Sequence, residues 1–130
     1  MKNVFISYAS ENQAFAAQLA NSLSDRGIKS VLSGHDTREG RWLEKLRQKV
    51  ETADGFILVM PAVTAKSSNN AFFEAGVARA LGKSVVVVVP DIEEVDRSNI
   101  PVDLADAVIV DAAKKSLKSV ADSVAIAVEN

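Results

Sequence analysis

The chain has 130 residues, of which 48% are hydrophobic and 25% are charged, a composition typical of one globular domain. Its net charge of -2, without a basic run, gives no sign of a nucleic-acid partner. The lack of cysteine excludes disulfides and thiolate metal sites, and a single histidine gives little basis for any other metal centre. No stretch is long and apolar enough to predict a membrane span, so we expect one cytoplasmic domain over residues 1–130.

The first predicted elements are a strand, a helix and a second strand. Residues 4–8 form an apolar run that predicts a short buried strand. Ser10 then opens a Ser-x-x-Gln pattern, so we expect a helix that begins there with Ser10 as its N-cap and ends at Gly27. Residues 28–32 predict the second strand. The polar loop over residues 33–41 is longer than most connections between strands and helices, and such length often has a use.

The rest of the chain continues this alternation of helices and strands. Apolar residues at helical spacing predict a second helix over residues 42–53 and a third over residues 70–81, with Gly82 as its stop. Further strands are predicted over residues 56–60, 84–89 and 107–110, and a last helix over residues 113–128. The fourth strand is almost entirely valine, which fits a sheet buried on both faces. The acidic stretch over residues 91–99 is expected to be a loop.

This order of elements predicts the architecture and the place of a ligand. Alternating strands and helices favour an α/β fold with a parallel sheet covered by helices on both faces. For five strands we expect the flavodoxin-like, doubly wound order 2-1-3-4-5. Ligands of such folds bind outside the carboxyl ends of the strands, where the chain direction switches, here between the first and third strands. The crevice is therefore expected between residues 7–10, residues 33–42 and residues 61–74.

Several functions of this architecture lack their residues here. No acidic pair directly follows the first strand to hold magnesium, which argues against a phosphate-receiving signalling domain. No glycine lies between Met1 and Arg26, which argues against a flavin or dinucleotide phosphate loop. The single histidine, His35, comes without a Gly-x-Ser-x-Gly elbow, so a serine hydrolase is not expected. Glu74, an acid among apolar neighbours, stays as the candidate for chemistry at the crevice.

Four motifs at the predicted crevice follow one another along the chain. They are VFISYAS at residues 4–10, Gly-Arg-Trp at residues 40–42, FILVM at residues 56–60 and a glutamate at the end of residues 70–74. In this order they resemble the first signature, the BB loop with its Gly-x-aromatic, the third strand and the Trp-x-x-x-Glu pattern of Toll/interleukin-1 receptor (TIR) domains of bacterial type. The resemblance covers nearly the whole chain.

The resemblance implies either cleavage of NAD+ between nicotinamide and ribose, to ADP-ribose or a cyclic isomer, or scaffolding through TIR–TIR contacts. For the enzyme it implies that NAD+ is a substrate rather than a bound cofactor and that Glu74 is catalytic. The positions that match the family's cleft are Tyr8, Ala9, Ser10, Arg38, Trp42 and Asn70. Asn70 stands where the family usually has tryptophan, so one stacking wall of the pocket is missing or is supplied elsewhere.

A single carboxylate suits this reaction. The leaving group is a cationic pyridinium that needs no general acid, so only the oxocarbenium-like ribose requires help. We expect Phe72, Phe73 and Trp42 to keep water away from Glu74 and thereby strengthen its effect. The alternative without chemistry is that Glu74 is an acid of the first helical turn, stabilised by the helix dipole, and that Trp42 is a core aromatic.

Two other functions stay open from the sequence. A non-enzymatic interaction module is favoured by Asn70, whereas Glu74 favours the enzyme. Residues 72–88, FFEAGVARALGKSVVVV, also resemble nucleoside deoxyribosyltransferases, which would make the domain a different N-glycosidase. The TIR resemblance further implies self-association and a fused or partner sensor domain in immune or cell-death signalling such as antiphage defence. From the charge and the lack of a long apolar stretch, we expect no nucleic-acid or membrane partner.

Overall fold

The computed structural model of the chain describes residues 2–32, 42–60, 68–90, 108–112 and 116–129. The strands in these ranges are β1 (Asn3–Ser7), β2 (Lys29–Leu32), β3 (Gly55–Val59), β4 (Val85–Val89) and β5 (Val108–Asp111). The α-helices are α1 (Gln13–Ser24), α2 (Trp42–Thr52), α3 (Ser68–Ala80) and α4 (Leu117–Glu129). The predicted loops over residues 33–41 and 91–99 lie outside the described residues.

The five strands form one parallel sheet in the order β2-β1-β3-β4-β5. This confirms the flavodoxin-like order predicted from the sequence. All five residues of β3 and of β4 are buried, because helices cover both faces of the sheet centre. The direction of the connections changes between β1 and β3, so the carboxyl ends of these two strands border the expected ligand crevice.

Side chains that alternate along the strands form two separate apolar layers. On one side, which we call the α1–α4 face, β1 contributes Val4, Ile6 and Tyr8, and these pack with residues of α1 and α4 such as Leu23. On the other side, the α2–α3 face, the buried residues from the strands and the two helices are Phe5, Leu46, Val50, Ala53, Phe56, Leu58, Met60, Ala75, Ala78, Val85, Val87 and Val89. Both faces therefore bury a continuous apolar cluster.

Glycines end two of the helices, as predicted. Gly27 and Gly82 have φ values of 76° and 74°, a left-handed conformation that residues with a Cβ adopt at a cost. Beyond α1, the Ile28 N–H donates to the Leu23 carbonyl at 3.1 Å. This bond, together with the one from the Gly27 N–H to Ser24 at 3.0 Å, is the Schellman pattern that satisfies the last carbonyls of a helix.

The beginnings of three helices differ from the prediction. Ser10 starts a short 3-10 helix over Ser10–Asn12, and the N-cap of α1 is Asn12, so the prediction that Ser10 caps the α-helix was wrong. The physical reason is local, because the Asn12 N–H already donates to the Ala9 carbonyl at 2.8 Å and closes the tighter turn. Helix α3 begins two residues before the predicted start. Helix α4 begins later than predicted, where the Ser116 hydroxyl accepts a bond from the Ser119 N–H at 3.2 Å.

Candidate active site

The site begins at Ser7, the last residue of β1. Because side chains alternate along a strand, Ser7 shares the α2–α3 face with Phe5, while Tyr8 shares the α1–α4 face with Ile6. Ser7 pairs with Leu58 of β3 in the sheet and has no exposed surface. A hydroxyl is therefore buried at the carboxyl end of β1, on a face that is otherwise apolar.

Glu74 comes from α3 and points toward the same place. It shares the buried side of the helix with Ala75 and Ala78, and only 7% of its surface is exposed. Because α3 begins at Ser68, Glu74 lies in the second turn, and the described first turn holds no acid. The alternative of a first-turn acid stabilised by the helix dipole is therefore wrong, since that effect fades beyond the first turn.

A hydrogen bond joins these two side chains. The Ser7 hydroxyl donates to the Oε1 atom of Glu74 at 2.6 Å, and the bond is buried. This length is typical of a hydroxyl that donates to an ionised carboxylate, a bond about twice as strong as one between neutral groups. A carboxylate accepts several hydrogen bonds, so the bond from Ser7 leaves it able to accept others. The bond fixes one oxygen of Glu74 at the carboxyl end of β1.

Tyr8 lies beside this pair, directly after β1. Its ring is buried, with 6% of the residue exposed. Burial raises the pKa of the Tyr8 hydroxyl above its ordinary value of 10.0, and the negative charge of Glu74 raises this pKa further. Tyr8 is therefore a neutral phenol at physiological pH, with a hydrogen-bond donor close enough to Glu74 to sense its charge.

The other predicted cleft residues are described only in part. Ala9 is fully buried, and its carbonyl is used by the 3-10 turn. Trp42 is the first residue of α2 and Asn70 the third of α3, so the backbone of both lies at helix N-termini, on the edge of the sheet where Glu74 meets β1. The side chains of Ser10, Trp42 and Asn70, and the whole of Arg38, lie outside the described residues. Their part in a pocket stays a prediction.

Phe73 does not take the position expected of it. The prediction that it keeps water away from Glu74 was wrong, because 47% of Phe73 is exposed. Successive residues of a helix differ by about 100° around its axis, and α3 turns Glu74 inward and Phe73 outward. The side chains of Phe72 and Trp42, expected in the same role, lie outside the described residues. Glu74 is nevertheless buried, with 7% of its surface exposed.

Ser7 was predicted to lie at the crevice with the hydroxyls of Tyr8 and Ser10, but no role or partner was predicted for it. The crevice was expected to include residues 7–10, but the predicted binding residues began at Tyr8. The signal in the sequence is the alternation of Phe5, Ser7 and Ala9, which places one hydroxyl on the same face of the sheet as the third helix. The alternation predicts on which face of the sheet Ser7 lies, but it does not predict the hydrogen-bond partner of Ser7. That partner depends on how α3 packs across the sheet.

Metal and membrane functions find no support in the described structure. Within the described ranges, no group of three or more His, Asp or Glu side chains is arranged to hold a metal ion. Among the helices of that part of the chain, none is long and apolar enough to cross a bilayer.

Comparison with known sequences identifies the family. The sequence model of the TIR domain family matches residues 4–124 of the chain. The chain therefore belongs to the TIR domain family, as its motifs indicate. A comparison with curated protein sequences gives no significant match.

Solved structures share the fold at low sequence identity. A CMP N-glycosidase from Clostridium botulinum is 18% identical with a TM-score of 0.65, and the similarity covers 95% of this chain and 99% of that chain. A diflavin flavoprotein A3 from Nostoc sp. is 13% identical with a TM-score of 0.61, covering 98% of this chain and 88% of that chain. A 3-dehydroquinate dehydratase-like protein from Bifidobacterium longum is 14% identical with a TM-score of 0.51, covering 100% of both. At these identities the likeness shows the fold alone.

Proposed function

We propose that this TIR domain hydrolyses NAD+ to nicotinamide and ADP-ribose, or to a cyclic isomer of ADP-ribose, with Glu74 as the catalytic residue. The observation that carries the proposal is the buried carboxylate of Glu74, held by Ser7 at the carboxyl end of β1 in a domain of the TIR family. Ligands of doubly wound folds bind at this edge of the sheet, so the carboxylate lies where a dinucleotide would enter.

The reaction needs little more than a well-placed negative charge. As the bond between C1′ of the ribose and N1 of the pyridinium breaks, its electron pair goes to N1 and nicotinamide leaves as a neutral molecule. The ribose then carries oxocarbenium-like positive charge. Water adds to C1′ and loses one proton to the solvent, which completes hydrolysis to ADP-ribose. In a cyclic product, a nucleophilic atom of the adenine takes the place of water.

Glu74 supports this reaction through charge and hydrogen bonding. A carboxylate close to C1′ stabilises the developing positive charge, and the effect is larger away from bulk water, where electrostatic interactions are less screened. Its remaining acceptor positions suit the ribose hydroxyls. The neutral Tyr8 hydroxyl, whose pKa the charge of Glu74 raises, offers a donor for the same sugar, in keeping with the role predicted for Tyr8 in substrate binding.

The test is nicotinamide release from NAD+ by the purified domain, followed by chromatography over a wide range of protein concentrations. We expect release that rises more steeply than protein concentration, because self-association of the domain completes the site. Glu74→Gln keeps the size of the side chain and one acceptor oxygen but removes the charge, and it should lower turnover by at least about 100-fold. Equal release by the wild type and Glu74→Gln, or none from the wild type at any concentration, would contradict the proposal.

A second candidate is cleavage of another N-glycosidic bond, in a nucleotide or nucleoside. The fold likeness to a CMP N-glycosidase over nearly the full length of both chains, together with Asn70 in place of the usual tryptophan, motivates it. The same assay with CMP and with free nucleosides separates the two candidates. Release of a base from these compounds without cleavage of NAD+ would favour the second candidate. Inactivity toward all of them would favour the non-enzymatic scaffolding module.

A further inference from the structure

The α2–α3 face of the sheet carries one polar interruption. Apart from Tyr8, Ser7 and Glu74 are the polar residues of the described ranges that are buried as whole residues, and they are hydrogen-bonded to each other. Beneath them the face is fully apolar, including the stacked rings of Phe5 and Phe56, whose centroids are 5.5 Å apart. The hydroxyl and the carboxylate are therefore hydrogen-bonded to each other at the end of an apolar layer.

This pair costs stability compared with an apolar pair of the same shape. Burial of a hydroxyl or a carboxylate carries a desolvation cost, which their mutual hydrogen bond offsets only in part. Replacement of both members of a buried polar pair by apolar groups is often neutral or stabilising. Stability of the fold thus gives no reason for Ser7 and Glu74 to be polar, whereas a site that needs a fixed carboxylate does.

The two side chains differ in how firmly the backbone holds them. Ser7 has one side-chain torsion before its hydroxyl, and its backbone is part of the sheet through the pairing with Leu58. Glu74 has three torsions between the α3 backbone and its carboxylate, so several positions of that group are open to it without a partner. The hydrogen bond at 2.6 Å ties the flexible group to the rigid one.

We propose that Ser7 is a positioning residue that holds the carboxylate of Glu74 in the orientation required to meet the substrate ribose. The inference rests on the proposed function, because it assigns Ser7 a part in the reaction of Glu74. Ser7 does not touch the substrate. It acts on the rate of bond cleavage, because catalysis depends on sub-ångström placement of the charged group, and misplacement by about 1 Å costs on the order of 100-fold.

The test is a double-mutant cycle with steady-state kinetics on NAD+, using Ser7→Ala, Glu74→Gln and the double variant. Ser7→Ala should lower kcat by about 10- to 100-fold and change KM by less than about 3-fold. In the Glu74→Gln background, Ser7→Ala should cost nothing further, because there is no charged group left to position. Ser7→Cys, whose thiol is a weaker donor, should lie between Ser7→Ala and the wild type.

The matched control is Ser30→Ala in β2. The Ser30 hydroxyl is also buried, but it has no hydrogen-bond partner within the described structure, so its loss should leave kcat unchanged. An active wild type with Ser7→Ala at full kcat would overturn the positioning role and leave the proposed function standing. Equal fractional losses in the wild-type and Glu74→Gln backgrounds would also overturn it, since they would indicate a general structural effect. A wild type that does not cleave NAD+ would overturn both.

Discussion

The two faces of the sheet are built on the same five strands but use their buried surface differently. The α1–α4 face buries Val4, Ile6 and their partners and meets the crevice with the ring of Tyr8. The α2–α3 face is equally apolar along its length, yet it ends in the hydrogen-bonded pair of Ser7 and Glu74. The comparison teaches that one face is apolar up to the ring of Tyr8, while the other buries a carboxylate at one end, and our proposal assigns that carboxylate a catalytic role.

The largest effect expected from this comparison is on the stability of the α1–α4 face. Leu23→Ala removes a fully buried side chain near the end of α1 that lies away from Tyr8. It should lower the free energy of unfolding by about 2–5 kcal/mol, measured by denaturant titration. Turnover of NAD+ per folded molecule should stay within about 2-fold of the wild type, because no site residue is changed.

The converse variant is Glu74→Gln on the α2–α3 face. It should abolish most turnover yet keep the free energy of unfolding within about 1 kcal/mol of the wild type, because the amide still accepts the bond from Ser7. If Glu74→Gln unfolds the domain while Leu23→Ala abolishes turnover without unfolding it, the division of roles between the two faces is wrong.

A smaller effect should separate two serines whose hydroxyls are buried. Ser7→Ala removes the hydrogen bond that Ser7 donates to the buried carboxylate of Glu74, so it should lower the free energy of unfolding by about 1.5–3 kcal/mol, the range for hydrogen bonds to charged groups. Ser30→Ala removes a buried hydroxyl that lacks a partner among the described residues. Its effect should lie within about 0.5 kcal/mol of zero or be stabilising. Similar losses for both variants would show that the bond to Glu74 contributes little.

The smallest expected effect concerns the pKa of Tyr8. Tyr8 belongs to the α1–α4 face, but its pKa is raised by the charge of Glu74 on the α2–α3 face. Tyr8 is the only tyrosine of the chain, so the absorbance of its phenolate reports on this residue alone. Burial is the larger cause of its raised pKa and the charge of Glu74 the smaller. In Glu74→Gln the pKa of Tyr8 should therefore fall below that of the wild type but stay above 10.0. An unchanged pKa would place Glu74 too far from Tyr8 to influence it.

The same shift has a consequence for stability at alkaline pH. The pKa of Tyr8 is higher in the folded than in the unfolded chain, so its contribution to stability is complete below about pH 10 and is lost as pH rises through the folded pKa. Tyr8→Phe removes this term, and the melting temperature of this variant should fall less steeply between about pH 9 and about pH 11 than that of the wild type.

Much of the fold could be predicted because its signals are local. The valines of β4 and the helical spacing of apolar residues in α1 are patterns of neighbouring residues, and they lead to the order 2-1-3-4-5. Helix starts were harder. The Ser-x-x-Gln pattern at Ser10 is compatible with either an α-helical or a 3-10 first turn. In the structure the hydrogen bond from the Asn12 N–H to the Ala9 carbonyl makes this turn a 3-10 helix.

The candidate site was predictable in its acid but not in the surroundings of that acid. The family motif and the crevice rule pointed to Glu74 and Tyr8, and in the structure the charge of Glu74 raises the pKa of Tyr8. Phe73 is exposed because of the residue at which α3 begins and the orientation of α3 about its axis. The apolar residues of α3 are too unevenly spaced to predict that orientation. The bond from Ser7 joins residues 67 positions apart, and such a pairing depends on packing between elements rather than on local pattern.

The most direct test of the central claim is a crystal structure of the domain with a non-hydrolysable NAD+ analogue. The account predicts that the nicotinamide ribose lies at the carboxyl end of β1, with a Glu74 carboxylate oxygen within about 3.2 Å of a ribose hydroxyl and the bond from Ser7 intact. An analogue bound elsewhere on the domain, or bound there with its ribose turned away from Glu74, would contradict the claim that this buried carboxylate is held for the cleavage of NAD+.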